Sequence, residues 1–345
     1  MRFLKFPCLI QQEIIKLMAV TQVVMMSFTS QKVRKLIQCY RFHVPKIRYE
    51  VSKISFSIRI HRGEFGIEPL LTVKETPDFS SLKTVSVRLK DGFLIEACFL
   101  PYNYKIGVRT VMYVAEINEN VQRSVQEYVN SLFRYSSENE LTFYIEACSA
   151  KFPKISNLKH CFLSGSNVDA KTIESYFEKY PNHKSAHLAV EITGELPEKS
   201  RLFHIPNICL VGNFKLKSDF LQKFEGRHLI FYKPKMDTSE IIGFLSKWVS
   251  NEAYHNLERL SVEAVVGSPI SIEPILNAFE TEEFDPENPG NRPGKVRHDA
   301  EIMSYSPDIL DLCDPSFVEI RRKCDGKRAF MLCETGNFHF LVFNG

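Results

Sequence analysis

The chain opens with apolar residues set at helical intervals, from Phe6 to Ile37: FPCLIQQEIIKLMAVTQVVMMSFTSQKVRKLI. Pro7 suits a first helical turn, where its missing N–H costs nothing. Leu9, Ile10, Ile14, Leu17 and Met18 then recur at the spacing of one helix face. After a break at Ala19-Val20-Thr21 comes a second apolar segment with Val23, Val24, Met25, Met26 and Phe28. Ser30 is a candidate N-cap for a third helix, with Val33, Leu36, Ile37 and Tyr40 inward and Lys32, Arg34 and Lys35 outward. Three short helices in about 40 residues bury too little to stand alone, so they are expected to rest on something else.

Beyond Pro45 the period changes from helical to two. Ile47, Tyr49 and Val51, then Ile54, Phe56, Ile58 and Ile60, read as one half-buried strand from 47 to 60, turned at Arg62–Gly63. Leu71–Val73, Val85–Leu89, Phe93–Phe99 and Val108–Ile117 repeat the theme, with Asp91–Gly92 as a hairpin turn. Val121–Tyr135 predicts one amphipathic helix and Leu141–Ala147 another strand. A mainly antiparallel sheet with one helix is therefore expected at 45–150.

From about 151 strands and helices alternate. Strand starts at 158, 188, 208, 229 and 257 stand roughly 20–30 residues apart, the range of leucine-rich-type repeats, although no LxxLxLxxN consensus is intact. Helices are expected over Asp169–Tyr180, Lys217–Phe224 and from Asp237-Thr238-Ser239-Glu240 through Trp248. Such units stack a parallel sheet under one helix layer; an irregular α/β layer is the alternative. Residues 281–300, with three prolines and two glycines, predict a long mobile surface loop. A hairpin at Asp325–Gly326 and a last strand at Phe338–Phe343 close the chain.

Charge is unevenly spread. Residues 1–62 carry 12 Lys/Arg against Glu13 and Glu50, a net +10, and the remainder carries −7. A basic head on an acidic body suits docking to an acidic partner; polyanions or anionic lipid would explain the same charge, but no RNA- or DNA-reading motif accompanies it. The nine cysteines are odd in number, scattered, and contain no CxxC, which points to reduced intracellular thiols. Gln11, Gln12, Glu13 and Lys16 interrupt the first apolar run, and no stretch reaches the roughly 18 apolar residues of a membrane span. A soluble protein of the cytoplasm or nucleus is expected.

The N-terminal residues resemble an F-box. Phe6–Pro7, Glu13-Ile14-Ile15, Leu17–Met18, Ser27-Phe28-Thr29-Ser30-Gln31-Lys32-Val33 and Leu36–Ile37 stand in the family's order, with Ala19–Val20 in place of a frequent acidic residue and proline, and Val33 in place of a frequent tryptophan. Residues 151–343 resemble the type 2 F-box-associated domain expanded in nematodes. The carrying residues are Asn157-Leu158-Lys159-His160 with Gly165, Thr238-Ser239-Glu240 to Trp248, Asn256–Val262, and Glu319-Ile320-Arg321-Arg322 with Asp325–Ala329. The resemblance implies a Skp-family adaptor bound by the F-box, a cullin-RING ligase reached through it, and an unknown target protein held by the body. It implies an adaptor surface drawn from Pro7, Leu9, Ile10, Ile14, Leu17, Val23, Val24, Phe28, Val33 and Leu36, rimmed by Lys32, Arg34 and Lys35. Some of these must instead hold the helices together.

Catalytic chemistry is not signalled. His183 and His187 stand four apart but lack the glutamate of HExxH, and Pro181–Asn182 predicts a turn there. His160–Cys161 and His204…Cys209 are neighbours in sequence only. GxSxG, GxxxxGK[ST] and GxGxxG are absent, Ser164-Gly165-Ser166 reads as turn chemistry, and Trp248 as helix-to-sheet packing. The expectation is an α+β protein with an F-box at 1–44, the antiparallel region at 45–150 and a leucine-rich-like F-box-associated domain at 151–345. It acts as a ligase adaptor without an activity, cofactor or metal of its own and without nucleic-acid or membrane partners. The alternatives are a non-ligase scaffold whose first helices are a cap, and a basic-headed binder of nucleic acid or membrane surfaces.

Overall fold

The computed structural model describes residues 3–40, 42–61, 66–76, 84–89, 92–102, 107–135, 138–145, 152–212, 218–234, 236–263, 270–305, 307–334 and 336–343. The turn expected at Arg62–Gly63, Asp91 of the next turn, the end of the 141–147 strand and the Lys217 helix start lie outside them. The chain divides into two compact units, residues 1–158 and 159–345. Helices and strands mix in both, with eight α-helices among the described residues, so the coarse α+β expectation holds.

Unit 1 begins with α1 (Cys8–Leu17), α2 (Val20–Thr29) and α3 (Gln31–Tyr40). The break falls at Met18–Ala19, and Gln22 Oε1 accepts the Ala19 amide at 3.1 Å, closing a start that has no capping side chain of its own. Ser30 caps α3 as its position predicts: its Oγ accepts the Val33 amide at 3.2 Å. The strands are β1 (Phe42–Val44), β2 (Ile47–Val51), β3 (Ser55–His61), β4 (Ile67–Glu75), β5 (Val85–Arg88), β6 (Leu94–Tyr102), β7 (Gly107–Val114), β8 (Phe133–Tyr135) and β9 (Asn139–Tyr144), with α4 (Glu119–Leu132) after β7. The sheet runs β9-β2-β3-β4-β7-β6-β5, antiparallel except for β9 on β2 and β4 on β7.

Two expectations change here. Residues 47–60 form a hairpin, not one strand. The alternation loses parity between Val51 and Ile54, and that offset is the turn, where Ile54 stands 62 % exposed. The helix expected to reach Tyr135 ends at Leu132, because 133–135 pair in parallel with β1. Asn118 starts that helix by accepting the Asn120 and Val121 amides. One sheet face, with Tyr49, Phe56, Ile58, Leu71, Val73, Leu141 and Phe143, is buried. Strand alternation sends Arg48, Glu50, Ser57, Arg59 and Glu140 to the other. α2 packs on β4 and β7, and α3 packs on α4.

Unit 2 has five parallel strands in sequence order: β10 (Leu158–Asp169), β11 (Ser185–Thr193), β12 (Asn207–Val211), β13 (His228–Tyr232) and β14 (Arg259–Glu263). The connections carry α5 (Ala170–Lys179), a 3-10 turn (Arg201–His204), α6 (Ser218–Lys223) and α7 (Thr238–Val249). α8 (Ile272–Ala278) follows, then β15 (Thr281–Glu282), β16 (Lys295–His298), β17 (Asp308–Asp311), β18 (Val318–Arg321), β19 (Arg328–Glu334) and β20 (Asn337–Val342). β20, β19, β18 and β15 extend the parallel row antiparallel from β14, and β16 pairs with β17 as a separate ribbon.

The α7 start is a capping box. Asp237 Oδ1 accepts the Glu240 amide and Glu240 Oε2 accepts the Asp237 amide, each at 3.0 Å. Trp248 is fully buried with its ring centroid 5.0 Å from Phe340, the packing role read from its helix. The hairpin turn at Asp325–Gly326 is present, with Gly326 at φ 68°, a value glycine adopts without strain. The loop expected at 281–300 is instead tied down. It contributes β15 and β16, and the buried Arg292 guanidinium donates to the carbonyls of Glu282, Leu312 and Phe317 at 2.8–3.3 Å. An arginine in a proline-rich stretch reads as solvated until the fold brings three carbonyls to it.

Candidate docking surface

Phe3–Lys5 form a 3-10 turn ahead of α1, and Pro7 precedes the helix in extended geometry. Gln11 pins the turn to the helix: its Nε2 donates to Phe6 O at 2.8 Å and reaches Phe3 O at 3.4 Å. The inward side of α1 is therefore Gln11 and, one turn on, Ile15, both buried. That orientation turns the apolar residues outward. Leu9 is 75 % exposed, Ile10 47 % and Leu17 89 %, with Leu4 and Phe6 exposed beside them and Ile14 half-buried. Ile10, Ile14 and Leu17 share one flank at i, i+4 and i+7. Five of the eleven large apolar side chains exposed among the described residues fall between 4 and 17, so this is a concentration and not the usual scatter.

The remaining expected docking residues divide by burial. Pro7, Lys32 and Lys35 are exposed, and Leu36 is half-buried. Val23 and Val24 have no exposed surface and Val33 is buried. Full burial of each valine is worth about 1.5–3 kcal/mol, enough to hold α2 in place. Phe28 stacks on Tyr128 of α4 at 5.1 Å. Arg34 is not a free rim charge: its guanidinium lies 5.4 Å above the Tyr128 ring and reaches Arg88 O at 3.4 Å. Burial raises the Tyr128 phenol above its ordinary pKa, against its Ser27 bond and the Arg34 charge.

Leu4 and Phe6 belong to the surface, and the buried Gln11 orients it, but all three stand outside the set read from sequence. The apolar pair was legible, since it precedes Pro7; Gln11 was not, because an inward glutamine breaks the apolar rule and works only through the Phe3 and Phe6 carbonyls. Lys5, beside Leu4 and Phe6 in the chain, and Lys32 and Lys35 on α3 are exposed, while Lys16 pairs with Glu13 at 2.6 Å. The surface offers apolar contact on α1, with exposed lysines at Lys5 and on α3.

The histidines noted in sequence are apart. His183 is buried against Tyr176, Phe177 and Tyr180, donates from Nδ1 to Tyr180 O at 2.6 Å, and is lowered by burial to about 4. His187 donates to Met303 O at 2.8 Å. Burial pushes the Cys161 thiol up to about 12, a protonated core residue at neutral pH. Among the described residues no group of three or more His, Cys, Asp or Glu is placed to hold a metal ion, and no helix is long and apolar enough to cross a membrane. Unit 2 holds a cleft of about 510 Å³ lined by Val249, Phe279, Glu282, Ile320, Arg321 and Lys323 among others. Comparison with protein-family models, curated proteins and solved structures finds no match to this chain in any of the three.

Proposed function

We propose that the chain is the substrate-recognition adaptor of an SCF-type E3 ubiquitin ligase. The observation that carries the reading is the outward apolar patch of α1, Leu9, Ile10 and Leu17 with Leu4 and Phe6, on a helix whose other side is anchored by Gln11 and Ile15. It lies on the helices that resemble an F-box, and the net positive charge of residues 1–62 suits an acidic Skp-family partner. Unit 2 is read as the F-box-associated domain, its strand–helix succession a degenerate leucine-rich-like layer that holds a target protein. The chain itself performs no chemistry. It raises the local concentration of target lysines at a cullin-RING ligase, without cofactor, nucleic acid or membrane, in the cytoplasm or nucleus.

Co-purification of the full chain with a Skp-family adaptor tests this, against a Leu9→Ala/Ile10→Ala/Leu17→Ala variant. The expected result is a stoichiometric complex lost in the variant at unchanged circular dichroism. No complex at micromolar concentration with folded protein overturns the proposal. Burial of Val23, Val24 and Val33 within unit 1 favours a second reading, a scaffold whose helices cap their own sheet. That protein would stay folded and bind no adaptor.

A further inference from the structure

The sheet of unit 2 buries a polar row. Cys161, Ala186, Ile208, Leu229 and Leu260 face the helices, so alternation puts His160, Ser185, Asn207, His228 and Arg259 on the opposite face, one from each parallel strand in register. All five are buried. Residues 299–305 lie across that face. Ala300 and Ile302 pack on Cys209 and Ile230. Ser185 Oγ donates to Glu301 O at 2.9 Å and His187 Nδ1 to Met303 O at 2.8 Å. Glu301 and Ser304 hold left-handed backbone, φ 50° and 65°, which side-chain-bearing residues adopt at a cost.

The hydrogen bonds fix where the protons are. Ser185 gives its only proton to Glu301, so His160 Nδ1 must donate to Ser185 Oγ, 2.9 Å away. Asn207 Nδ2 donates to Lys184 O, so its Oδ1 accepts from His228 Nδ1 at 2.8 Å. His187 and His228 thus make these contacts with the proton on Nδ1, and a second proton at Nε2 adds charge under residues 299–305. His228 Nε2 has no hydrogen-bond partner, with Glu258 Oε2 at 3.5 Å. His298, at the end of β16, sets its ring 5.8 Å from that of His228. Positive charge is already present: Arg259 of β14, paired with Asp308 of β17 at 2.7 Å, bears on His228, His298 and His339 of β20. Arg227 adds to it at His228.

We propose that residues 299–305 are a proton-released strap: the neutral histidines beneath hold it on the sheet, and acid lifts it while the strands of unit 2 stay paired. The reading stands on unit 2 alone and is independent of the adaptor role.

The sign follows from the closed state. Burial, opposed by Glu258, lowers His228 to about 4, and burial with the Arg259 charge lowers His339 to about 4. Closure is therefore undiminished above about pH 6.5, the ordinary histidine value, and weakens as pH falls toward 4. Each such histidine freed by opening shifts the open-to-closed ratio about 20-fold between neutral pH and pH 5. The neighbours respond differently. Burial raises Cys209, Tyr232 and Tyr305, which stay protonated across this range. Glu263 on β14 is also raised by burial and is the competing acid-sensitive group.

Hydrogen-exchange mass spectrometry of the full chain at pH 7 and pH 5, corrected for intrinsic rates, tests the strap. The opening constant of amides 299–305 is expected to rise about 20-fold or more, with amides of β11–β13 changing less than about threefold. His228→Gln should flatten the strap's response and Glu263→Gln should keep it. Unchanged strap protection at pH 5, parallel loss in strap and strands, or a response abolished by Glu263→Gln overturns the proposal. The wild-type comparison decides even if the histidine variant does not fold.

Discussion

Ser27 Oγ lies 2.7 Å from Tyr128 Oη across 101 residues of chain, joining α2 to α4 inside unit 1. Ser27 gives its own proton to Val24 O, so the phenol is the donor. The bond is buried, with Phe28 stacked on the same ring and Arg34 above it. Tyr128→Phe should cost about 1–2 kcal/mol, because Ser27 keeps a buried lone pair without a donor. Ser27→Ala/Tyr128→Phe should cost less than the sum of the single changes. A double-mutant cycle in urea measures the coupling, and additive losses would mean the contact contributes nothing beyond packing.

Glu140 should dominate the acid sensitivity of unit 1. Its carboxylate is buried, which pulls its pKa up, yet His61 at 2.7 Å and Arg48 at 2.7 Å hold it down to about 2, with Lys46 at 3.8 Å. A depressed carboxylate stabilises the fold above its unfolded value of about 4.5 and loses that contribution as pH falls toward 2. The shift corresponds to about 3 kcal/mol. Urea midpoints should therefore fall steeply between pH 5 and 2 in wild type and more gently in Glu140→Gln, which starts lower at pH 7. Parallel pH profiles for the two proteins would assign the acid sensitivity elsewhere.

Arg292 should control the 281–317 region. Its three carbonyl partners have no obvious substitute, so Arg292→Met is expected to cost on the order of 3 kcal/mol and to open new proteolytic sites between 283 and 300. Arg292→Lys, with one compact charge in place of a fork, should fall between. Limited proteolysis with mass spectrometry reads both; an unchanged cleavage map in the methionine variant would show that the loop is held by its other contacts.

These three groups mark where sequence ceased to be informative. Local rules located Ser30 and the Asp237–Glu240 box, because a cap is decided within four residues. The parallel strand succession of unit 2 was legible from strand spacing, and the hidden hairpin at 47–60 was legible only in the parity slip between Val51 and Ile54. The parallel pairings of β9 with β2 and of β4 with β7 join strands far apart in sequence, and neither strand carries a mark of its partner. The polar row from His160 to Arg259 is equally silent: each strand contributes one polar residue at or near its start, and only parallel register aligns the five. For the candidate docking surface, helical spacing identified the apolar residues but not their direction. Gln11 and Ile15 turned Leu9 and Leu17 outward, while the same kind of spacing in α2 buried Val23 and Val24.

That difference in direction separates residues that hold the fold from residues free to bind. Leu9→Lys and Leu17→Lys replace side chains 75 % and 89 % exposed, so each should change stability by less than about 0.5 kcal/mol. Val23→Ala and Val24→Ala remove fully buried methyl groups against β4 and β7 and should each cost about 1–3 kcal/mol. Thermal unfolding of the four single variants sorts them. On the adaptor proposal, the lysine variants lose complex formation at full stability, whereas the alanine variants lose stability and bind in proportion to the folded fraction. Losses above about 1 kcal/mol in the lysine variants would instead place Leu9 and Leu17 inside a packed interface of the chain itself, and the scaffold reading would then account for the exposed patch better than docking does.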